Sequence, residues 1–156
     1  MGAERERPLT GGGVPSSTSD ERTWAALAHA SALLNLVMSG VGGAIGALVI
    51  WLTQKDRSRW VAFHALQSLV FQTALFLVTV VFVGVIWVLG FAFSFATVGF
   101  GTFIAVPIMI ASLFLAMVLM LGGLVYSLYG AYQVYEGREF RYFWIGDWAA
   151  ERAFRQ

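Results

Sequence analysis

The sequence predicts an all-α, polytopic membrane protein with two long spans, an N-terminal hairpin or pair of short spans broken by glycine, and a C-terminal interfacial helix. Three observations support this fold class. Charged residues make up 12% of the chain, half of the roughly 25% found in globular domains. Mean hydropathy is +0.72, and several apolar runs exceed the length of about 18 residues that predicts a membrane span. Charge is confined to the segments between and beyond these runs.

The N-terminal segment, residues 1–22, is rich in glycine, proline, serine and charge, so we predict a disordered cytoplasmic tail. The first apolar block starts only at Trp24, which is too late for a secretory signal. Thr18 with Glu21, or Asp20 alone, is expected to cap the first helix. The predicted organisation is a tail over 1–22, a helical transmembrane domain over 23–136 and an amphipathic cytoplasmic interfacial tail over 137–156.

The first apolar block, residues 24–52, is interrupted by the glycine-rich stretch 39–46. As one straight helix it would be roughly 43 Å long, well beyond the ~30 Å hydrocarbon core, and could cross only with tilt. As two arms, 24–38 and 44–52, it folds back at the glycines and both ends return to the same side. We favour the folded-back arrangement because of where the positive charges lie.

A short charged hinge follows this block. Lys55, Asp56, Arg57 and Arg59 lie between two apolar segments, shortly after Trp51. Such a cluster of basic residues is typical of a cytoplasmic loop. We interpret the hinge as the landmark of the cytoplasmic face and Asp56 as a solvated ion-pair partner.

A polar stripe begins the next helix. His64, Ser68 and Gln72 follow one another at spacings of four residues, with Gln67 beside them. Residues three and four apart share one face of a helix. We therefore place this start at the membrane interface.

Two long apolar blocks complete the membrane domain. The first, from 60 to about 97, contains a predicted span over about 69–93, and the second runs from 103 to about 134. The uncharged, glycine-containing stretch 97–101 is the predicted outer turn.

The C-terminal tail returns to charge and alternates aromatic residues with arginines. Rings at headgroup level beside arginines are typical of an interfacial helix. An equal number of acidic residues makes a poor phosphate-binding surface, so we predict no nucleic-acid partner. The residues concerned are Tyr135, Tyr142, Trp144, Trp148, Arg138, Arg141, Arg152 and Arg155.

The placement of the basic residues sets the predicted topology. If the first block folds back, all ten lysines and arginines lie on one side, and the turns at 39–46 and 97–101 carry none. The positive-inside rule then places both termini and the hinge in the cytoplasm. We predict a multi-pass protein of the inner (plasma) membrane.

Three stretches resemble a known family: WAALAHASALL at 24–34, VIWLTQKDRSRWVAFHALQSLVFQ at 49–72 and YEGREFRYF at 135–143. Their order and spacing resemble small bacterial membrane proteins of the Tic-twenty-like superfamily, which is similar to the channel subunit of the chloroplast inner-envelope protein-import translocon. The resemblance implies a helical membrane fold with cytoplasmic termini and, by analogy, a translocation role. The candidate structural or interaction residues are His29, Trp51, Lys55, Asp56, Arg57, His64, Gln67, Gln72, Gly137, Arg141 and Tyr142.

His29 and His64 are titratable residues within apolar sequence, and the folded-back arrangement places them at similar depth. We interpret them as interfacial histidines bonded to Gln67, Gln72 or backbone carbonyls, since a buried polar group needs a partner. The alternatives are pH sensing or partner docking, bis-histidine haem ligation and metal binding, for which no nearby carboxylate offers a third ligand. We predict no cofactor and no metal.

The sequence contains no catalytic constellation. The absence of cysteine excludes disulfides and thiolate chemistry, and there is no His–carboxylate pair or phosphate loop. All nine acidic residues lie outside the apolar blocks, which argues against an ion-coupled carrier.

We therefore predict a non-enzymatic integral membrane protein that self-associates or acts as an accessory, scaffold or small pore in membrane protein assembly or translocation. Its partners would be the lipid bilayer and copies of itself or other membrane proteins. The alternatives are a haem-binding electron-transfer subunit using His29 and His64, and a sensor of anionic lipid at the membrane surface. The polar residues available to line a path or bind a neighbouring helix are Asn35, Ser39, Thr79, Ser94, Thr97, Ser112 and Ser127.

Overall fold

The structure is a computed structural model that describes residues 17–154. Over these residues it contains five α-helices, one 3-10 helix and no strand, so the predicted all-α class is confirmed. Helices α3 and α4 are both long and apolar enough to cross a membrane. In chain order the elements are α1 (Ser19–Ala30), the 3-10 helix (Ser31–Leu36), α2 (Gly42–Gln54), α3 (Arg59–Ala96), α4 (Thr102–Tyr135) and α5 (Ile145–Phe154).

The first apolar block folds back, as the charge distribution favoured. Helix α1 and the 3-10 helix lead into a turn at 37–41, and α2 returns along them and along α3. Ser39 and Gly40 adopt positive φ angles of 48° and 88° in this turn. A methyl group added to Gly40 would lie 3.2 Å from the side chains of both Phe76 and Met120. The tip of this N-terminal hairpin (residues 19–54) therefore reaches the level of those two residues.

The glycines at the start of α2 serve close packing rather than the turn that the sequence suggested. A Cβ added to Gly43 would overlap the Gln72 amide oxygen and lie 2.9 Å from Ala32 Cα. One added to Gly42 would lie 2.5 Å from the Leu34 carbonyl oxygen. Helices can approach this closely only where a side chain is missing.

The charged segments of the described chain meet at one end of the molecule. Thr18 and Glu21 form the predicted capping box of α1, which begins at Ser19. Ser58 caps α3 and also donates a hydrogen bond of 2.6 Å to Glu21. Arg22 lies against Gly137 just after α4. The start of α1, the hinge and the beginning of the tail are thereby joined.

The other end of the molecule is much thinner. Helix α3 has 38 residues, about 57 Å at 1.5 Å per residue, and the N-terminal hairpin covers only its first half. We call residues 17–76 and 120–154 the bundle end and residues 77–119 the two-helix end. The latter consists of the outer halves of α3 and α4 and the turn that joins them.

Candidate functional site

The bundle end contains a line of buried hydrogen bonds. His29 and His64 are both fully buried, and His29 Nε2 lies 3.3 Å from His64 Nδ1. On the other side of its ring, His29 Nδ1 lies 3.0 Å from the Tyr142 hydroxyl. The Tyr142 hydroxyl is also 3.0 Å from Ser127 Oγ. Helices α1, α3 and α4 and the C-terminal tail each contribute one member of this line.

Gln67 ties the line to the tail a second time. Its Oε1 accepts a hydrogen bond of 3.3 Å from the Tyr142 backbone N–H. Its Nε2 donates to the Phe140 carbonyl at 3.0 Å and contacts His64 Nδ1 at 2.9 Å. Because one end of the amide must accept and the other must donate, the orientation of Gln67 is determined.

These contacts determine where the ring hydrogens lie. Since the Gln67 amide nitrogen is a donor, His64 Nδ1 accepts and the His64 hydrogen is on Nε2. His29 Nε2 faces the same acceptor and therefore carries a hydrogen, which makes His29 Nδ1 the acceptor for Tyr142. Either hydroxyl of the next pair can donate, so Ser127 becomes the donor to Tyr142. The line runs in one direction, from Ser127 to His64.

The histidine pair is neutral in this arrangement. Its hydrogen-bond partners are a phenol, an amide and the other imidazole, so no carboxylate stabilises a charged form in the buried site. His64 Nε2 has no hydrogen-bond partner among residues 17–154. The rings of Trp60 and Phe63 lie edge-on to His64, with centroid distances of 4.4 and 4.9 Å.

A second branch of hydrogen bonds joins the N-terminal hairpin to α3. Ser68 donates to the Ala28 carbonyl at 2.8 Å, and Gln72 donates to Ser68 at 2.8 Å. Ser31 Oγ lies 2.8 and 2.9 Å from the carbonyl oxygens of Ala28 and Gly43, which share its one hydroxyl hydrogen. Every one of these side chains is buried. We call the two branches together the polar network.

Asn35 closes this branch at the level of the hairpin tip. Its Oδ1 accepts from the Gly43 N–H at 2.7 Å, and its Nδ2 donates to Gln72 Oε1 at 3.4 Å. The Gly43 N–H belongs to the first turn of α2, where no intrahelical partner exists. Asn35 therefore satisfies a helix end that would otherwise be unpaired in an apolar environment.

The network holds the C-terminal tail against the bundle. The Tyr142 ring stacks on Phe71 with centroids 4.2 Å apart and an interplanar angle of 7°. Phe140 is buried beside it and lies against Gly130 of α4. Burial raises the pKa of the Tyr142 phenol, which keeps its hydroxyl available as a donor. The tail is thus a part of the core.

The other predicted site residues lie at the surface of the bundle end. Lys55 Nζ lies 5.4 Å from the centre of the Trp51 ring. Asp56 and Arg57 are exposed. The hinge borders a cavity of about 440 Å³, which is lined by Lys55, Asp56, Arg57, Ser58, Arg59 and Ala153.

Two further candidates stabilise the path of the tail. Gly137 has a φ of +77°, a conformation that favours glycine. Arg141 donates to Glu139 at 2.7 Å and to Asp147 at 3.2 Å, and its guanidinium carbon lies 5.8 Å from the centre of the Phe63 ring. These contacts connect the tail to α5 and to α3.

The geometry does not fit a haem held between the two histidines. Bis-histidine ligation needs both rings to face one cavity with the iron between their nitrogens. Here the facing nitrogens of His29 and His64 are 3.3 Å apart and share a hydrogen bond.

Six of the seven polar residues predicted to line a path have partners among the described residues, whereas the seventh, Ser39, is exposed in the hairpin turn. Ser94, Thr97 and Ser112 donate to helix carbonyls of the preceding turn. Thr79 lies 3.8 Å from the sulfur of Met120. Asn35 and Ser127 belong to the polar network.

The sequence places Ser68 on the polar stripe and offers Ser127 as a residue to line a path or bind a neighbouring helix, but it does not predict that either joins a hydrogen-bonded line with the histidines. It gives no signal for Ser31 or for Gly43 as members of the site. Ser127 is a lone serine among apolar residues and gave no periodic signal. Its role depends on the tail folding back over α4, which local spacing cannot show.

The fold and this interior define the class: an integral membrane protein whose apolar surface surrounds a hydrogen-bonded core. The chain belongs to the Magnetosome magnetite crystal formation protein family, that of MamF and MmsF, whose family model matches residues 20–149. No curated protein and no solved structure shows a significant match to the chain.

This family assignment corrects the resemblance drawn from the sequence, because the match is to the magnetosome family and not to the Tic-twenty-like superfamily. The motifs behind that resemblance contain His29, the charged hinge, the stripe from His64 to Gln72, and Tyr142. In the structure these residues build the polar network and the charged rim, by which we mean the start of α1, the hinge and the beginning of the tail. These residues hold a small helical bundle together, and their presence therefore does not identify the family.

Proposed function

We propose that this chain is a non-enzymatic accessory of magnetite crystal formation that acts from within the magnetosome membrane through the surfaces of its bundle. Membership of the magnetosome family supports the process and the membrane. The accessory role is supported by the state of the interior, where the buried side chains of the polar network bond mainly to one another and to the backbone. Contacts with copies of itself or with other membrane proteins would then occur on the outer surfaces.

The observation that carries this proposal is the inverted distribution of polarity in the bundle end. His29, His64 and Gln67 are fully buried, whereas apolar side chains such as Leu36 and Val37 are 64% and 79% exposed. In water this arrangement would be unfavourable, but in lipid it removes polar groups from the hydrocarbon. It favours a compact membrane module over a pore, because six of the seven polar residues that could line a path already have partners within the chain.

The charged end is proposed to face the cytoplasm. The start of α1, the hinge and the tail carry all charged side chains of the described chain and lie together at one end. The positive-inside rule assigns such an end to the cytoplasmic side.

The test is replacement of the resident family member in a magnetite-forming bacterium by this chain. Restoration of crystal size and shape, measured by electron microscopy, is expected. His29→Ala should fail to restore crystals and should reduce the amount of protein in the membrane, while the exposed control Leu27→Ala should restore both. Normal amounts of intact protein in the membrane with no effect on the crystals would contradict the proposal.

A second candidate function, recognition of anionic lipid, is favoured by the cavity beside the hinge. Lys55, Arg57 and Arg59 line it together with a single acidic residue, Asp56, and basic residues just outside the hydrocarbon attract anionic headgroups. Replacing Arg57 and Arg59 with glutamine should weaken retention of anionic lipid by the purified protein. The same change at Arg138, which does not line this cavity, should leave it unchanged.

A further inference from the structure

The two ends of the molecule differ in cross-section. At the bundle end, α1 packs against both long helices and α2 packs against α3, so four helices cross one level. Beyond the contact of Gly40 with Phe76 and Met120, α3 and α4 continue as a pair for about 20 residues each. At similar helix diameters, the bundle end therefore occupies about twice the area of the two-helix end.

The hydrocarbon core of a bilayer divides the molecule between these ends. The core is about 30 Å thick, so one leaflet takes up about ten helical residues. With the predicted span at 69–93, Phe76 lies about 10 Å inside the start of that span. The N-terminal hairpin then ends within the leaflet next to the charged end. Outer residues such as Val85 and Val88 on α3 are exposed on the protein surface, as expected for contact with lipid.

We propose that the chain is a membrane wedge whose preferred partner is a bilayer curved so that the leaflet at the charged end is convex. A protein that occupies about twice as much area in one leaflet as in the other expands the first leaflet relative to the second. The bilayer relieves this difference by bending so that the expanded leaflet is convex. The shallow N-terminal hairpin is the element that produces the asymmetry. This preference does not depend on a role in crystal formation.

The wedge requires that lipid, and not a second copy, surrounds the two-helix end. Helix faces there carry exposed valines and phenylalanines, including Val88 at 68% and Phe95 at 82%. A second copy on this face would equalise the two cross-sections. Curvature preference and association through this face are therefore competing outcomes of one experiment.

The test uses the full chain with a single label at Ser17→Cys, which is possible because the chain has no cysteine. The labelled protein is reconstituted into giant vesicles, and a narrow membrane tether is pulled from each vesicle. A membrane-impermeant quencher reports which molecules have the charged end outside. For these the ratio of protein density in the tether to that in the vesicle should exceed unity and rise as the tether narrows. For molecules with the charged end inside, it should fall below unity.

Paired variants on lipid-exposed positions test the origin of the effect without disturbing the core. Gly84→Trp with Val88→Trp widens the two-helix end and should bring the ratio closer to unity. Val49→Trp with Leu52→Trp widens the bundle end and should raise it. Gly84 has open space around its Cβ position, and the other three side chains are more than half exposed, so folding should be retained.

Equal densities for both orientations, or enrichment with the charged end on the concave side, would overturn the wedge. Crosslinked pairs joined through the two-helix end, observed together with equal densities, would overturn it in favour of a symmetric dimer.

Discussion

Helix α3 passes through two different environments, and their contrast explains how this protein is built. Its first half, residues 59–76, carries eight of the nine side chains that the helix buries, including His64, Gln67 and Gln72. Its second half buries Thr79 alone. The two halves differ in composition as well as in surroundings, because the polar stripe from His64 to Gln72 lies in the first half and the N-terminal hairpin and the tail pack against it. Structural specificity in this chain is concentrated where polar groups are enclosed.

The physical reason lies in the solvent. Lipid tails are as apolar as valine or leucine, so burial of apolar surface gives little drive for helices to associate in a membrane. Close packing at glycine and hydrogen bonds between helices remain as the specific forces. The bundle end contains both, whereas the two-helix end relies on contacts such as Gly90 against Met109. The stability of the fold should therefore reside mainly in the bundle end.

The largest expected difference in stability is between two glycine-to-alanine changes, one at the bundle end and one at the two-helix end. In Gly43→Ala the new Cβ overlaps the Gln72 amide and meets the Ala32 backbone, so α2 must shift and the Gln72 hydrogen bonds are lost. Overpacking and unpaired polar groups together should lower the free energy of unfolding by about 4 kcal/mol. Gly84→Ala, whose Cβ meets open space, should change little. Denaturant unfolding in detergent micelles measures both, and equal losses would break the contrast.

Removal of the central imidazole should have the next largest effect. His29→Ala deletes a fully buried ring and leaves Tyr142 and His64 without a shared partner. The cavity and the lost hydrogen bonds should lower the free energy of unfolding by about 3 kcal/mol. Leu27→Ala, two residues earlier and 47% exposed, is the matched control and should change it by far less. A His29→Ala protein as stable as the control would show that the network is not structural.

Much of this architecture could be predicted from the sequence, whereas contacts between residues far apart along the chain could not. Block lengths and the distribution of arginines predicted the long helices and the folding back of residues 24–52. The stripe from His64 to Gln72 indicated a polar face. A partner of that face, Tyr142, lies 75 residues from Gln67 along the chain, and such a contact leaves no periodic trace. The sequence predicts a turn at the glycines that in fact begin α2, because local sequence cannot distinguish a chain reversal from close packing.

A smaller loss tests whether the tail is held by its hydroxyl or by its ring. Tyr142→Phe keeps the stacking on Phe71 but removes the partner of His29 Nδ1 and Ser127 Oγ. We expect a loss of about 2 kcal/mol in the free energy of unfolding, with faster proteolysis between 137 and 144. Tyr132→Phe, at a residue that is 56% exposed, should leave both unchanged. If the tail of Tyr142→Phe stays fully protected, ring packing alone retains it.

The smallest expected effect is a pH dependence confined to the bundle end. The hydrogen bond from Ser58, followed by that from the Thr18 backbone, lowers the pKa of Glu21 below its ordinary value of 4.5. Because the folded-state pKa lies below the unfolded one, this contribution to stability is present above about pH 4.5 and is lost as the pH falls through the lowered value.

Ser58→Ala tests this dependence directly. The variant should lose about 1 kcal/mol at every pH through the missing cap of α3, and its stability should also fall less steeply in acid than that of the parent. Ser94→Ala, which removes a hydroxyl from the two-helix end, should keep the parental acid slope. Unfolding curves recorded over a series of acidic buffers separate the constant loss from the change in slope. An unaltered slope in Ser58→Ala would mean that the hydrogen bond from Ser58 does not stabilise the ionised form of Glu21. The start of α1 and the hinge would then lie side by side without stabilising each other.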